Sequence, residues 1–140
     1  MTNREQGERL LREAERIFER ELKAAFSQGD NNLTVRRAQE VVELTLKGAL
    51  RFLAIDYPKV HDVGSIFAKE VKNKRLLVKE DDVKRIKRVS LWLAQARAPS
   101  FYGERDYVLE DAQEAFEDAA FTLNCLKSAL SKIVGGEGKG

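Results

Sequence analysis

The chain contains one cysteine, one histidine and two prolines in 140 residues. A lone Cys125 excludes an intramolecular disulfide and any zinc site built on cysteines. His61 and Cys125 are far apart in sequence, and nothing in their spacing makes them a nucleophilic pair. Neither a Walker-type glycine-rich loop nor a dinucleotide fingerprint is present. His, Cys and carboxylate residues form no compact cluster, so the sequence predicts no metal and no cofactor. No apolar run reaches the ~20 residues of a membrane span. Met1 to Arg16 alternates charges without a secretory apolar stretch. These absences predict a cytoplasmic protein with no membrane partner.

Hydrophobic residues make up 43% of the chain and charged residues 34%, enough apolar material for one core under a highly charged surface. Helical periodicity is the dominant pattern. From Arg4 to Phe26 the apolar positions Leu10, Leu11, Ala14, Ile17, Phe18, Leu22, Ala25 and Phe26 form one stripe. The turn at Gly29-Asp30-Asn31-Asn32 ends that helix, with Asn32 as the expected cap of the next. The second helix is predicted over Leu33 to Ile55, with Val35, Ala38, Val42, Leu46, Ala49 and Leu53 inward and Pro58 as its stop. A short helix follows from Val63 to Val71, capped by Asp62. Leu76-Leu77-Val78 reads as an extended crossing of the core. The fourth helix spans Asp81 to Ala96, broken by Pro99 and Gly103, and the last runs from Leu109 to Val134. The fold class is therefore all-α, an antiparallel up-and-down bundle of four long helices plus one short helix over residues 1–134. Gly135 and Gly136 predict a flexible tail over 135–140.

Charge is unevenly distributed. Nine basic and four acidic residues between Lys69 and Arg88, including Lys74 and Arg75, give a net +5. Seven acidic residues against Arg105 between Glu104 and Asp118 give a net −6. The basic stretch is a candidate phosphate surface, with Lys84, Arg85 and Arg88 as its nucleic-acid contacts; equally, the two segments complement each other or a second subunit. Arg97, followed by Phe101 and Tyr102, suits a phosphate clamp with a stacking aromatic beside it, or simply neutralises a helix end. His61 is a pocket candidate or a turn residue packed near a helix start. Glu43 and Lys47, four residues apart, are placed to form an ion pair.

The series Ala38-Gln39, Glu43, Leu46-Lys47, Tyr57-Pro58, His61-Asp62-Val63, then Ala96-Arg97 with Pro99 and Tyr102, resembles the HEPN domain family. The resemblance implies a bundle of four or five helices, usually a homodimer, often encoded with a small nucleotidyltransferase in pairs that resemble toxin–antitoxin modules. Many such proteins are metal-independent ribonucleases that use Arg, four to six residues, then His. Arg97 matches that arginine, but Ala98 to Glu104 contain no histidine, and Tyr102 stands in one of the places where it would fall. The implied function is nucleotide or RNA binding beside a nucleotidyltransferase partner, with Arg97 on phosphate, Tyr102 stacking, and Lys47 and His61 as further pocket residues. The alternatives are a divergent ribonuclease using Arg97 and a purely structural partner protein. The missing histidine predicts weak ribonuclease activity at best.

Overall fold

The computed structural model describes residues 1–73 and 76–139, so Lys74 and Arg75 of the basic stretch, and Gly140, lie outside the described residues. Helix α1 (Asn3–Ile17) is capped by Thr2, whose hydroxyl accepts from the Glu5 amide at 3.1 Å. It passes without interruption into a π-helical turn, Phe18–Leu22, and then α2 (Lys23–Ser27). Gly29, at φ +74°, turns the chain into α3 (Asn31–Phe52). A short α4 (Gly64–Asn73) leads to two long helices, α5 (Glu80–Tyr102) and α6 (Leu109–Lys139). The all-α bundle predicted from periodicity is the fold observed. Among the described residues, no helix is long and apolar enough to cross a membrane.

Helix α3 lies at the centre, packed against α1, α5 and α6. Its predicted stripe is buried up to Ala49, and Thr34, Gln39, Val41, Thr45, Gly48 and Leu50 are buried as well, so α3 is enclosed on most sides. The closest approach is at Gly7 and Gly48. A side-chain carbon on Gly7 would stand 2.6 Å from the Gly48 carbonyl oxygen and 2.6 Å from the Phe52 nitrogen. Glycine is required there by backbone contact.

The helix ends differ from those the sequence predicts, for local reasons. Asp30, rather than Asn32, caps α3 by accepting from the Leu33 amide at 3.1 Å, a position that also sets a negative charge at the positive helix end. Asn32 instead reaches the α5–α6 connection, donating to the Arg105 carbonyl and accepting from the Tyr107 amide, both at 2.9 Å. Helix α3 stops before Pro58, where Ala54 adopts a left-handed φ of +60° and the Ile55 amide turns back to the Leu50 carbonyl. Of Leu76-Leu77-Val78, Leu76 joins the core while Leu77 points to solvent. Helix α6 continues to Lys139 through Gly135 and Gly136, because glycine weakens a helix by about 1 kcal/mol without forbidding it.

Pro99 does not break α5. Proline lacks the amide donor but keeps its carbonyl as an acceptor, and the Pro99 oxygen receives the amides of Gly103 and Glu104. The helix therefore gains a last turn before Gly103, at φ +69°, ends it. That turn carries Phe101 and Tyr102.

Candidate functional site

Gln39, Glu43 and Lys47 occupy successive turns of α3 and are linked side chain to side chain. Lys47 donates to Glu43 Oε2 at 2.8 Å, and Gln39 Nε2 donates to Glu43 Oε1, also at 2.8 Å. The Gln39 amide is almost fully buried, and its oxygen accepts from Arg97 of α5 at 2.7 Å. Both ends of the amide are engaged, which fixes its orientation. Burial pushes the Glu43 carboxyl up, but hydrogen bonds from Lys47, Gln39 and His61, with the Lys47 charge, outweigh burial and hold it below the ordinary carboxylate range.

His61 arrives from the α3–α4 connection. Its Nδ1 lies 2.7 Å from Glu43 Oε1. An ionised carboxylate only accepts, so Nδ1 carries a proton and the lone pair of the neutral ring sits on Nε2. The neighbouring Asp62 holds the connection in place: its Oδ1 accepts from the Gly64 amide at 3.0 Å and from the Ser90 hydroxyl at 2.7 Å. Gly64 keeps α4 close to α5 here, since a side-chain carbon would meet Ser90 Cβ at 2.8 Å. The His61 side chain remains 57% exposed. Its back is fixed and its far edge is open.

Arg97, His61 and Tyr102 line one cavity of about 300 Å³, together with Ala94, Ala98 and Phe101. Phe101 and Tyr102 are exposed, and their rings pack edge to face with centroids 4.9 Å apart. The Arg36 guanidinium lies 4.9 Å from the Phe101 ring centroid. Among the described residues Arg97 forms no ion pair; its side-chain partner is the neutral Gln39 amide. A guanidinium held this way keeps its charge and most of its donors available to an anion.

The other predicted residues are placed differently. Lys47 stands behind Glu43, with its ammonium also 5.6 Å from the Tyr57 ring, and does not line the cavity. Lys84 is exposed near Glu80, at 4.0 Å. Arg85 pairs with Asp118 at 3.2 Å and lies over Phe121 at 3.9 Å, so part of the opposite charge on α5 and α6 is matched internally. Arg88 is exposed and precedes Arg97 by nine residues; nine residues make two and a half turns, which sets the two on opposite sides of α5. None of Lys84, Arg85 and Arg88 lines the Arg97 cavity. Among the described residues no group of three His, Cys, Asp or Glu side chains is arranged to hold a metal ion.

Two residues of the arrangement carried no role in the sequence reading. Gln39 is the bridge between Glu43 and Arg97, and its signal is an amide inside an apolar stripe, between Ala38 and Val42. Asp118 reads as part of an acidic surface run, yet it is buried and accepts from Arg85 and from Trp92 Nε1. The fold also supplies what the Arg97 segment lacks, since His61 reaches the same cavity from 36 positions earlier in the chain.

The HEPN domain family model matches residues 5–129 of the chain, a span that holds every residue of the cavity. No curated protein and no solved structure matches the chain.

Proposed function

The chain belongs to the HEPN domain family, and from that premise we propose that it binds a nucleotide or RNA at the Arg97 cavity. The observation that carries this reading is a partly buried guanidinium with no carboxylate partner among the described residues, lining a cavity that exposed aromatics also line. Arg97 takes the phosphate through parallel N–H donors. Phe101 and Tyr102 offer ring faces and edges to a base, a contact worth about 1–3 kcal/mol and tolerant of sequence. His61 Nε2 is open to the phosphate or the sugar. The protein acts as a homodimer beside a nucleotidyltransferase partner in a toxin–antitoxin-like pair, a proposal supported by family membership and by the unequal charge of its segments.

Fluorescence anisotropy with a labelled single-stranded RNA, competed by nucleoside monophosphates, tests the site. Arg97→Ala is expected to weaken binding at least tenfold and Tyr102→Ala to weaken it less. Unchanged affinity in Arg97→Ala defeats the reading. Light scattering tests the dimer, and co-purification from the native host with mass spectrometry tests the partner.

A further inference from the structure

We infer that the cleft between α1 and the end of α3 is a second anion site, built on Arg9, Arg51 and Tyr57, that takes a phosphomonoester carrying an apolar group. It stands apart from the Arg97 cavity and is independent of it.

Gln6, Arg9, Leu10, Glu13, Arg51 and Tyr57 line a cavity of about 530 Å³, a size that suits a small ligand. None of these residues lines the Arg97 cavity. Arg51 follows Gln39, the residue that holds Arg97, by twelve positions, about 18 Å along α3.

Spacing offers Arg9 a partner in Glu5, four residues earlier. That carboxylate instead closes the start of α1, accepting from the Thr2 hydroxyl at 3.1 Å while the Glu5 amide donates back to Thr2. Glu8 lies 3.6 Å from Arg4, Glu15 lies 3.5 Å from Lys127, and Glu13, on the cavity wall, is taken by Arg16. The carboxylates of α1 are thus engaged elsewhere, and among the described residues Arg9 forms no ion pair.

Arg51 is in the same position on the other wall. The residues four before and four after it are Lys47 and Ile55, so α3 supplies no carboxylate there. Its guanidinium lies 5.4 Å from the Tyr57 ring centroid, and the Lys47 ammonium lies 5.6 Å from the same centroid. Lys47 is matched by Glu43 at 2.8 Å; among the described residues Arg51 is matched by no carboxylate. The last turn of α3 favours a cation at position 51 through the helix dipole. That does not account for the second cation, brought to the same cavity by α1.

Two guanidinium groups without acids leave two positive charges, which one carboxylate cannot balance. A phosphomonoester carries about −1.5 to −2 at neutral pH and offers three acceptor oxygens, and guanidinium bonds phosphate through parallel donors. The Gln6 amide adds a neutral donor. Leu10 and the Tyr57 ring give the wall an apolar part, which suits an apolar or aromatic group esterified to the phosphate.

Calorimetry on the full chain with phenyl phosphate, inorganic phosphate and benzenesulfonate tests the site. Phenyl phosphate should bind tightest, since inorganic phosphate lacks the ring and the sulfonate lacks the second charge. Arg9→Ala and Arg51→Ala should each weaken it about tenfold. Arg97→Ala, and Arg12→Ala at an exposed arginine of α1 outside the cavity, should keep the wild-type affinity. Thermal melts confirm that each variant is folded, and Arg9 is itself exposed, so its removal leaves the core intact. The inference is overturned by a wild type that binds no phenyl phosphate, by equal binding of the three probes, or by a loss in Arg12→Ala as large as in Arg9→Ala. A loss confined to Arg97→Ala also overturns it, by moving the ligand to the other cavity, and leaves the proposal for that cavity standing.

Discussion

Two of the three arginines of helix α5, Arg85 and Arg97, lie twelve residues apart in opposite circumstances. Arg85 faces the Asp118 carboxylate at 3.2 Å and the Phe121 ring at 3.9 Å, and Trp92 shares the same carboxylate at 3.0 Å. Its charge is matched at a partly exposed seam, where it joins α5 to α6. Arg97 meets a neutral amide and an open cavity. Residue type and helix are the same, so the difference lies in the partner: a carboxylate makes an arginine a fastener, and an amide leaves it a receptor for anions. Of the candidate contacts in the basic run, Arg85 belongs with the first case and Lys84 and Arg88 lie in solvent, while Arg97 lies outside that run.

The sharpest test of this contrast exchanges the two losses. Arg97→Ala is expected to remove about 2 kcal/mol of RNA affinity, typical of a hydrogen bond to a charged group, with its melting temperature close to wild type; Arg85→Ala should show the reverse. Anisotropy and thermal melts on both variants decide it, and a shared pattern would erase the distinction. Asp118→Ala comes next. It leaves the Arg85 guanidinium and the Trp92 N–H without their carboxylate and should destabilise by about 1–3 kcal/mol in urea titrations, without touching RNA affinity.

A smaller effect is set by pH. Because the folded Glu43 carboxyl titrates below its ordinary value of 4.5, its contribution to stability is complete above that value and is lost as pH falls through the folded pKa. Urea midpoints measured from neutral pH down through the carboxylate range should fall less steeply for Glu43→Gln than for wild type. Equal slopes would mean that the α3 chain does not hold a charge. The smallest change concerns salt: Lys84→Ala with Arg88→Ala should reduce the slope of log affinity against log salt by about 1 at most, since Arg88 lies across the helix from Arg97. A larger reduction would unite the two surfaces.

The helices were legible because stripes such as Val35, Ala38, Val42 and Leu46 repeat the core contact in the chain itself. Their ends were less so. Asp30 and Asn32 are both good caps, and the choice depends on a connection 73 residues away that claims Asn32. Pro99 reads as a stop because sequence rules weigh its missing donor, while its carbonyl remains available to the turn that follows. At the site, the Glu43–Lys47 pair follows from spacing within one helix. The meeting of His61 with Arg97 does not, because it depends on how α3 sets α5 and the α3–α4 connection around Gln39.

The π-helical turn at Phe18–Leu22 bears on how the chain tolerates changes of length. There the Lys23 amide reaches the Phe18 carbonyl, five residues back, so the turn holds one residue more than an α-helix would. An added residue rotates everything after it by about 100°, and the turn absorbs that rotation: Ala14 and Ile17 before it, Leu22 at its end and Ala25 after it all reach the core. A chain shortened by one residue within this turn could close it to regular α-helix with both flanking stripes still in register. The same deletion three turns earlier would swing every preceding side chain to a new face and misplace Gly7 at its crossing with Gly48. Length variation in this bundle is thus permitted at one address in the first helix and penalised at the others.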